Sequence, residues 1–163
     1  MNDPVAIYFG AERAESLLFI CIGLVALEVA YLCWRKSRAD SARGAAMVLV
    51  LVAALQLTVG TTIFMRGPGD KARVSQALRH DKPALRAQEL PRMQRVMRSF
   101  QIYRWIELGL LALGVLLAWA AHRGSTARGA GLALMPQAAV MLVFDGLAEQ
   151  RGAVYLAWLN SLL

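Results

Sequence analysis

Four long apolar runs alternate with polar or basic stretches along the chain. The runs cover residues 14–34, 44–64, 102–121 and 129–146. Each is close to the roughly 20 apolar residues that an α-helix needs to cross the hydrocarbon core of a bilayer. The pattern therefore predicts an all-α integral membrane protein, a four-helix bundle forming one transmembrane domain over residues 1–163. With four spans, both termini and the long connection between the second and third runs lie on the same side.

The ends of the runs carry the residues expected at a membrane surface. Tyr31 and Trp34 come at the end of the first run and are followed by Arg35 and Lys36. This order is typical of an aromatic belt followed by a basic hairpin. The second run is followed by Arg66 and then by Gly-Pro-Gly over residues 67–69. We expect these residues to end the second helix.

The connection between the second and third runs is predicted to be a helical, basic loop outside the membrane, over residues 70–100. Asp70 can cap a short helix that Asp81, Lys82 and Pro83 end, and a second helix can start after that proline. Pro91 suits the first turn of a further helix, because its missing N–H costs nothing there. No helix breaker follows before residue 122, so residues 91–122 should form one helix of about 47 Å.

The C-terminal segment over residues 151–163 is amphipathic and carries Tyr155, Trp158 and several leucines. Two interpretations stay open. The segment either lies along the membrane interface or prolongs the fourth helix.

Composition supports membrane insertion and excludes several other classes. The chain is 58% hydrophobic with a net charge of +7, and a soluble domain of this size could not bury so much apolar surface. Since the basic residues lie mostly between the runs, they indicate contact with lipid head groups and not with nucleic acid. Both histidines, His80 and His122, lie outside the runs. We therefore predict no catalytic residue, metal ion or cofactor.

Polar side chains gather at one level of the predicted bundle, on the side of the termini. Arg104 and Glu107 share a face of the third helix, as residues three apart do. All four runs contribute to this level, which contains Glu15, Arg66, Tyr103, Arg104, Glu107, Asp145 and Glu149. The functional hypothesis is a ligand-binding pocket that opens toward the long connection. The structural alternative is a set of ion pairs that fix the helix register.

Three more polar residues lie deeper in the runs. Gln56 and Gln137 are each near the middle of a run, and Pro136 frees a backbone carbonyl one turn earlier. The two glutamines form either a hydrogen bond between helices or the lining of a cavity. Glu28 stands alone near the hairpin side of the first run. It is either a neutral, hydrogen-bonded carboxyl group inside the bundle or a proton-coupling group.

Two segments resemble parts of known sequences. One runs from Glu89-Leu90-Pro91-Arg92-Met93 through Met97-Arg98-Ser99-Phe100 to Tyr103-Arg104-Trp105-Ile106-Glu107, and the other is Val143-Phe144-Asp145-Gly146-Leu147-Ala148-Glu149-Gln150-Arg151-Gly152. They are similar to segments of small bacterial four-span membrane proteins to which no activity is assigned. The resemblance implies a location in the bacterial inner membrane and no particular chemistry.

Three functions follow as hypotheses. The first is binding or transport of a small solute, an ion or a lipid head group by the polar level. A transporter with only four spans would act as a homodimer, and the predicted close-contact positions are Gly23, Gly60, Gly109 and Gly114. The second is an accessory subunit that docks a partner or anionic lipid through its basic loop. The third and least favoured is an intramembrane enzyme acting on lipid.

The orientation of the chain is weakly determined by charge. Of the 18 Lys and Arg residues, six lie in the two hairpins and the other twelve lie on the side of the termini. This count favours cytoplasmic termini, whereas the dense basic group over residues 35–43 favours the reverse.

Overall fold

The computed structural model describes residues 3–80 and 82–162. Within these ranges the chain is all-helical, with no strand, and the predicted all-α fold is confirmed. The four long helices are α1 (Pro4–Lys36), α2 (Asp40–His80), α3 (Leu90–Ala120) and α4 (Thr126–Leu162). A short helical turn, Lys82–Ala84, and a π-helical turn, Leu85–Glu89, lead into α3. Each of the four is long and apolar enough to cross a membrane.

The four helices form two hairpins that pack against each other. Residues 37–39 join α1 to α2, and residues 121–125 join α3 to α4, with Gly124 adopting a positive φ of 85° that suits a tight turn. We call this the hairpin end of the bundle and the opposite end the terminal end. The hairpins meet mainly through α2 and α4, while α1 and α3 share no close backbone contact over the described ranges.

Small side chains pack the hairpin end. Its buried cluster consists of Ala26, Ala30, Ala46, Leu49, Ala53 and Ala133. A Cβ atom added to Gly44 would overlap the backbone carbonyl of Thr126, and one added to Gly129 would overlap that of Ser41. Helices α2 and α4 therefore cross here in near backbone contact, as small residues permit in membrane bundles.

Larger side chains pack the terminal end. Its buried cluster draws on all four helices and the π-helical turn, and consists of Val5, Phe9, Val74, Leu85, Met93, Tyr155 and Leu159. These residues lie outside the four apolar runs. The terminal end thus has a hydrophobic core of its own, and the segment over residues 70–100 is part of the bundle and not a separate loop.

The predicted end of the second helix at Arg66 is wrong, because α2 continues through residues 67–69 to His80. A proline inside a helix removes one backbone hydrogen bond and kinks the helix, but Pro68 lies exposed and Val74, beyond it, packs in the terminal core. Tertiary packing therefore offsets the cost of Pro68. The predicted helix end at residues 81–83 falls partly on Asp81, which lies outside the described residues.

The other helix boundaries follow the pattern more closely. The single helix expected over residues 91–122 corresponds to α3, which begins one residue before Pro91 and ends at Ala120. The C-terminal segment prolongs the fourth helix, which is the second of its two interpretations, since α4 continues without interruption to Leu162.

Three of the four glycines expected at a dimer contact lie inside the bundle. Gly23 and Gly60 contact the opposite helix of the α1–α2 hairpin, and Gly114 contacts α4. A Cβ atom added to the fourth, Gly109, would meet no other atom of the described chain within 4 Å. The first three glycines allow helices of one chain to approach each other and are not available to a second copy.

Candidate functional site

A cavity of about 600 Å³ lies between the two packed ends of the bundle. All four helices line it, and on α1, α3 and α4 the lining residues are spaced so that one face of the helix is turned to the cavity. On α1 these are Tyr8, Glu12, Glu15, Ser16 and Phe19; on α3 they are Arg92, Arg95, Val96, Ser99, Phe100 and Tyr103. From Tyr8 to Phe19 the cavity extends roughly 16 Å along α1 at 1.5 Å per residue.

The polarity of the cavity changes along its length. Toward the terminal end the lining is charged and contains Glu12, Arg66, Arg92, Arg95 and Arg151. Toward the middle of the bundle it is mainly apolar and contains Phe19, Val59, Phe100 and Phe144, with the hydroxyl group of Thr58 and the carboxyl group of Asp145. We call these the charged end and the apolar end of the cavity.

Ion pairs connect the helices at the charged end. Arg66 of α2 lies 3.5 Å from Glu12 of α1 and 3.5 Å from Asp70 one turn further along α2. Arg151 of α4 pairs with Glu15 of α1. These pairs tie α1 to both α2 and α4 around the cavity, and they neutralise two of its arginines.

A buried carboxylate lies next to the cavity, toward the terminal end. Glu89 is only 1% exposed and accepts two hydrogen bonds from Arg92, of 2.9 and 2.6 Å. The hydroxyl group of Tyr155 donates a third at 3.3 Å, and Arg73 lies 3.6 Å away. Arg92 thus lines the cavity and at the same time binds Glu89, the carboxylate buried at the terminal end.

Arg95 differs from the other cavity arginines. Its Nε donates a 3.4 Å hydrogen bond to the carbonyl oxygen of Pro91. No carboxylate of residues 3–80 or 82–162 lies within ion-pair distance of it, whereas Arg66, Arg92 and Arg151 each have one. The charged end therefore keeps one positive charge that a ligand can neutralise.

Two groups at the charged end, both outside the run over residues 14–34, have raised pKa values. Burial raises the pKa of Tyr8 to about 12, and the Glu12 carboxylate adds to the effect while Arg92 opposes it. Burial also raises the pKa of the Glu12 carboxyl group, against the attraction of Arg66 and Arg92. Tyr8 therefore stays a neutral hydrogen-bonding group at physiological pH.

A buried carboxyl group lies on α3, one turn after a lining residue of the cavity. Glu107 is 4% exposed and follows Tyr103, which lines the cavity, by four residues. Asp145 of α4 lines the cavity. The second carboxyl oxygen of Glu107, Oε2, has no hydrogen-bond partner in the described ranges. No group of three or more His, Cys, Asp and Glu side chains in these ranges could hold a metal ion.

The structure brings some of the predicted site residues to the cavity and leaves others outside it. The lining contains Glu15, Arg66, Tyr103 and Asp145. Glu107 is buried and is not among the lining residues. Arg104 and Glu149 form an ion pair with each other and do not line the cavity.

The three deeper residues are not part of the cavity lining. Gln56 is fully buried and donates a 3.1 Å hydrogen bond to Gln137, so the two join α2 to α4 beyond the apolar end. Glu28 is exposed on the outer face of α1, with no ion-pair partner in the described ranges. The expectation of a hydrogen-bonded carboxyl group inside the bundle is therefore wrong for Glu28.

Sequence reasoning missed Tyr8 and Glu12 because the first helix was expected to begin near residue 14. The signal for an earlier start is local: Asp3 caps α1 by accepting a 3.0 Å hydrogen bond from the backbone N–H of Val5, and Pro4 occupies the first turn. Counting from Pro4 puts Tyr8, Glu12 and Glu15 on one helix face. Arg151 was missed because the sequence does not determine the direction of the segment after residue 150.

Comparisons with known proteins give no guide to the activity. No protein-family model matches the chain, and neither the curated proteins nor the solved structures contain a significant match. The proposed function is therefore based on the chemistry of the cavity.

Proposed function

We propose that this chain is a membrane protein whose cavity binds an anionic amphipathic molecule. The head group, a phosphate, sulfonate or carboxylate, lies among the arginines of the charged end, and the apolar part extends toward Phe19 and Phe144. One observation carries the proposal: a single cavity changes from charged to apolar along its length. This binding role is the first of the three hypotheses drawn from the sequence, with a ligand class added.

The size and walls of the cavity support a ligand of this kind. Small-molecule sites are usually about 300–1,000 Å³ and mostly apolar, with a few charged or polar groups that fix orientation. The cavity has that volume, and Arg95 supplies a positive charge that no acid on the described chain neutralises. A purely polar solute would offer no apolar group to the side chains of Phe19, Val59 and Phe144.

The packing of the helices supports entry from the bilayer. Helices α1 and α3 both line the cavity and share no close backbone contact over the described ranges. An amphipathic molecule can pass between them from the lipid while its head group stays at the level of the arginines. In this proposal the charged end lies near the membrane surface, in the bacterial inner membrane with cytoplasmic termini.

The accessory-subunit hypothesis keeps one supporting observation. Arg79, Arg86 and Arg98 are exposed at the terminal end, where they can contact anionic lipid head groups. Arg73 and Arg92 of the same segment instead bind Glu89 inside the protein. A basic surface of this kind also suits a ligand-binding protein, whereas the cavity has no role in a protein that only docks.

The experiment uses dodecane-1-sulfonate as the probe and counts its adducts by native mass spectrometry, with the protein released from dodecyl maltoside micelles. Ala148 lines the cavity and Ala153, on the same helix, is exposed outside it. We expect one dodecane-1-sulfonate per chain for the wild type and for Ala153→Trp, and none for Ala148→Trp, because the indole fills the cavity. Equal binding by both variants, or none by the wild type, would refute the proposal.

A further inference from the structure

Two phenylalanine rings meet at the apolar end of the cavity. Phe19 of α1 and Phe144 of α4 both line the cavity and pack edge to face, with ring centroids 5.7 Å apart and an interplanar angle of 86°. Each is the lining residue of its helix that lies nearest to the hairpin end. The pair therefore joins α1 to α4 at the point where the cavity ends.

The helices pack closely on the hairpin side of this pair. A Cβ atom added to Gly23 of α1 would lie 3.1 Å from the side chain of Leu57 on α2. Gln56, which is fully buried, donates a 3.1 Å hydrogen bond to Gln137 and so joins α2 to α4. An alkyl chain that passed the two rings would meet these packed helices. We therefore call the two rings the floor of the cavity.

The floor lies at a similar depth below the charged end on every helix. On each helix a charged lining residue and the lining residue nearest to the hairpin end are seven or eight positions apart, which corresponds to roughly 10–12 Å at 1.5 Å per residue. These residues are Glu12 and Phe19 on α1, Arg66 and Thr58 on α2, Arg95 and Tyr103 on α3, and Arg151 and Phe144 on α4.

This depth can be converted into a chain length. With C–C bonds of about 1.5 Å, an extended alkyl chain advances about 1.3 Å per carbon. The distance from the charged end to the floor therefore holds about 8 or 9 carbons, and the full length of roughly 16 Å from Tyr8 to Phe19 holds about 12.

We propose that Phe19 and Phe144 determine the length of the chain that the cavity accepts, so that its ligands are anionic amphiphiles with a chain of about 8 to 12 carbons. This inference rests on the proposed function and adds a length limit to it. A longer chain has to fold back above the rings or lift its head group away from Arg95. Either change weakens binding, and the two rings are thus specificity-determining residues.

The test is a competition between dodecane-1-sulfonate and octadecane-1-sulfonate, present at equal mole fractions in dodecyl maltoside micelles. Both ligands then pass from the micelle to the cavity, so the comparison does not depend on their partition from water. Native mass spectrometry gives the ratio of the two adducts. We expect the wild type to favour dodecane-1-sulfonate by about tenfold or more, because the longer ligand loses a hydrogen bond between its head group and a charged side chain.

Two variants remove the floor. Phe144→Ala and Phe19→Ala each leave space for several more carbons, so the preference for the shorter ligand should fall below about threefold in both. The readout is the adduct ratio alone, because the rings also contact the ligand. Phe64→Ala is the matched control and should keep the wild-type ratio. Phe64 lies 4.7 Å from the guanidinium carbon of Arg13 and is not among the lining residues.

The outcomes separate the length limit from the proposed function. Equal binding of the two sulfonates by the wild type would show that a long chain leaves between α1 and α3, which would overturn the limit and leave the proposed function intact. An unchanged ratio in both phenylalanine variants, or loss of both adducts in both of them, would also overturn the role of the rings. Absence of either adduct on the wild type would refute the proposed function and the limit together.

Discussion

Arg92 donates two hydrogen bonds, of 2.9 and 2.6 Å, to Glu89, which precedes it by three residues. The same carboxylate accepts a hydrogen bond from Tyr155 of α4 and faces Arg73 of α2. One buried side chain from the π-helical turn therefore holds three helices together. It does so next to the cavity, where Arg92 forms part of the wall.

Removal of the Glu89 carboxylate should destabilise the terminal end strongly. Glu89→Ala leaves the guanidinium of Arg92, which is largely buried, without its partner. The loss of one partner of a buried ion pair costs about 3–5 kcal/mol, and we expect a decrease of that order in the free energy of unfolding in dodecyl maltoside. Asp40→Ala is the control. It breaks an ion pair with Arg43 in which both side chains are more than half exposed and should cost less than about 1 kcal/mol.

The close crossing of α2 and α4 should not tolerate a methyl group. Gly44→Ala and Gly129→Ala each place a Cβ atom on a backbone carbonyl of the opposite helix, so the helices must separate and both variants should unfold at a lower temperature. Gly109→Ala meets no atom within 4 Å. Since alanine favours a helix by up to about 1 kcal/mol over glycine, this control should be neutral or slightly stabilising. Equal melting temperatures for all three variants would contradict the described crossing.

Arg95 should contribute to affinity for an anionic head group, and Arg98 should not. Both side chains are exposed, but Arg95 lines the cavity and Arg98, one turn away, does not. A hydrogen bond to a charged group contributes about 1.5–3 kcal/mol, so Arg95→Gln should weaken binding of dodecane-1-sulfonate by about tenfold or more. Arg98→Gln should change the Kd less than twofold. An equal effect of both would indicate general attraction to the basic surface.

The hydrogen bond between Gln56 and Gln137 predicts an asymmetry between single and double variants. Gln56 is fully buried, and its Oε1 already lacks a hydrogen-bond partner in the described ranges. Gln137→Leu removes the acceptor of its amide as well, which should cost about 1–3 kcal/mol. Adding Gln56→Leu should recover most of that loss, because no buried amide then remains. A double variant less stable than Gln137→Leu alone would show that the amides are needed for packing.

Periodicity and run length were enough to predict four membrane-length helices, since soluble proteins rarely contain apolar runs of this length. The same signals placed Glu15, Arg66, Tyr103 and Asp145 at one level of the bundle, and the structure puts all four at the cavity. Each of these residues lies within or next to an apolar run. The depth of each residue in the membrane could therefore be counted from the end of its run.

The structure of the terminal end could not be predicted by counting along the apolar runs, because its core residues lie outside them. Pro68 with its glycine neighbours is locally a helix breaker, and only tertiary packing of Val74 with α1 and α4 residues shows why α2 continues. The facing direction of Glu28 was also undetermined, because helices of this type are apolar on all sides and give no marked polar face. The face that each helix turns inward depends on where the helices cross. Gly44 and Gly129 mark the crossing of α2 and α4, but the sequence does not show which residues of the opposite helix they contact.

The central claim is that an amphipathic ligand occupies the cavity that all four helices line, and site-directed thiol protection tests it most directly. In a chain with Cys21 and Cys33 changed to serine, Ala148→Cys should react with a small charged thiosulfonate reagent, and saturating dodecane-1-sulfonate should slow that reaction at least tenfold. Ala153→Cys, outside the cavity, should react at the same rate with and without the ligand. A thiol at position 148 that does not react, or that reacts equally fast in the presence of the ligand, would contradict the account.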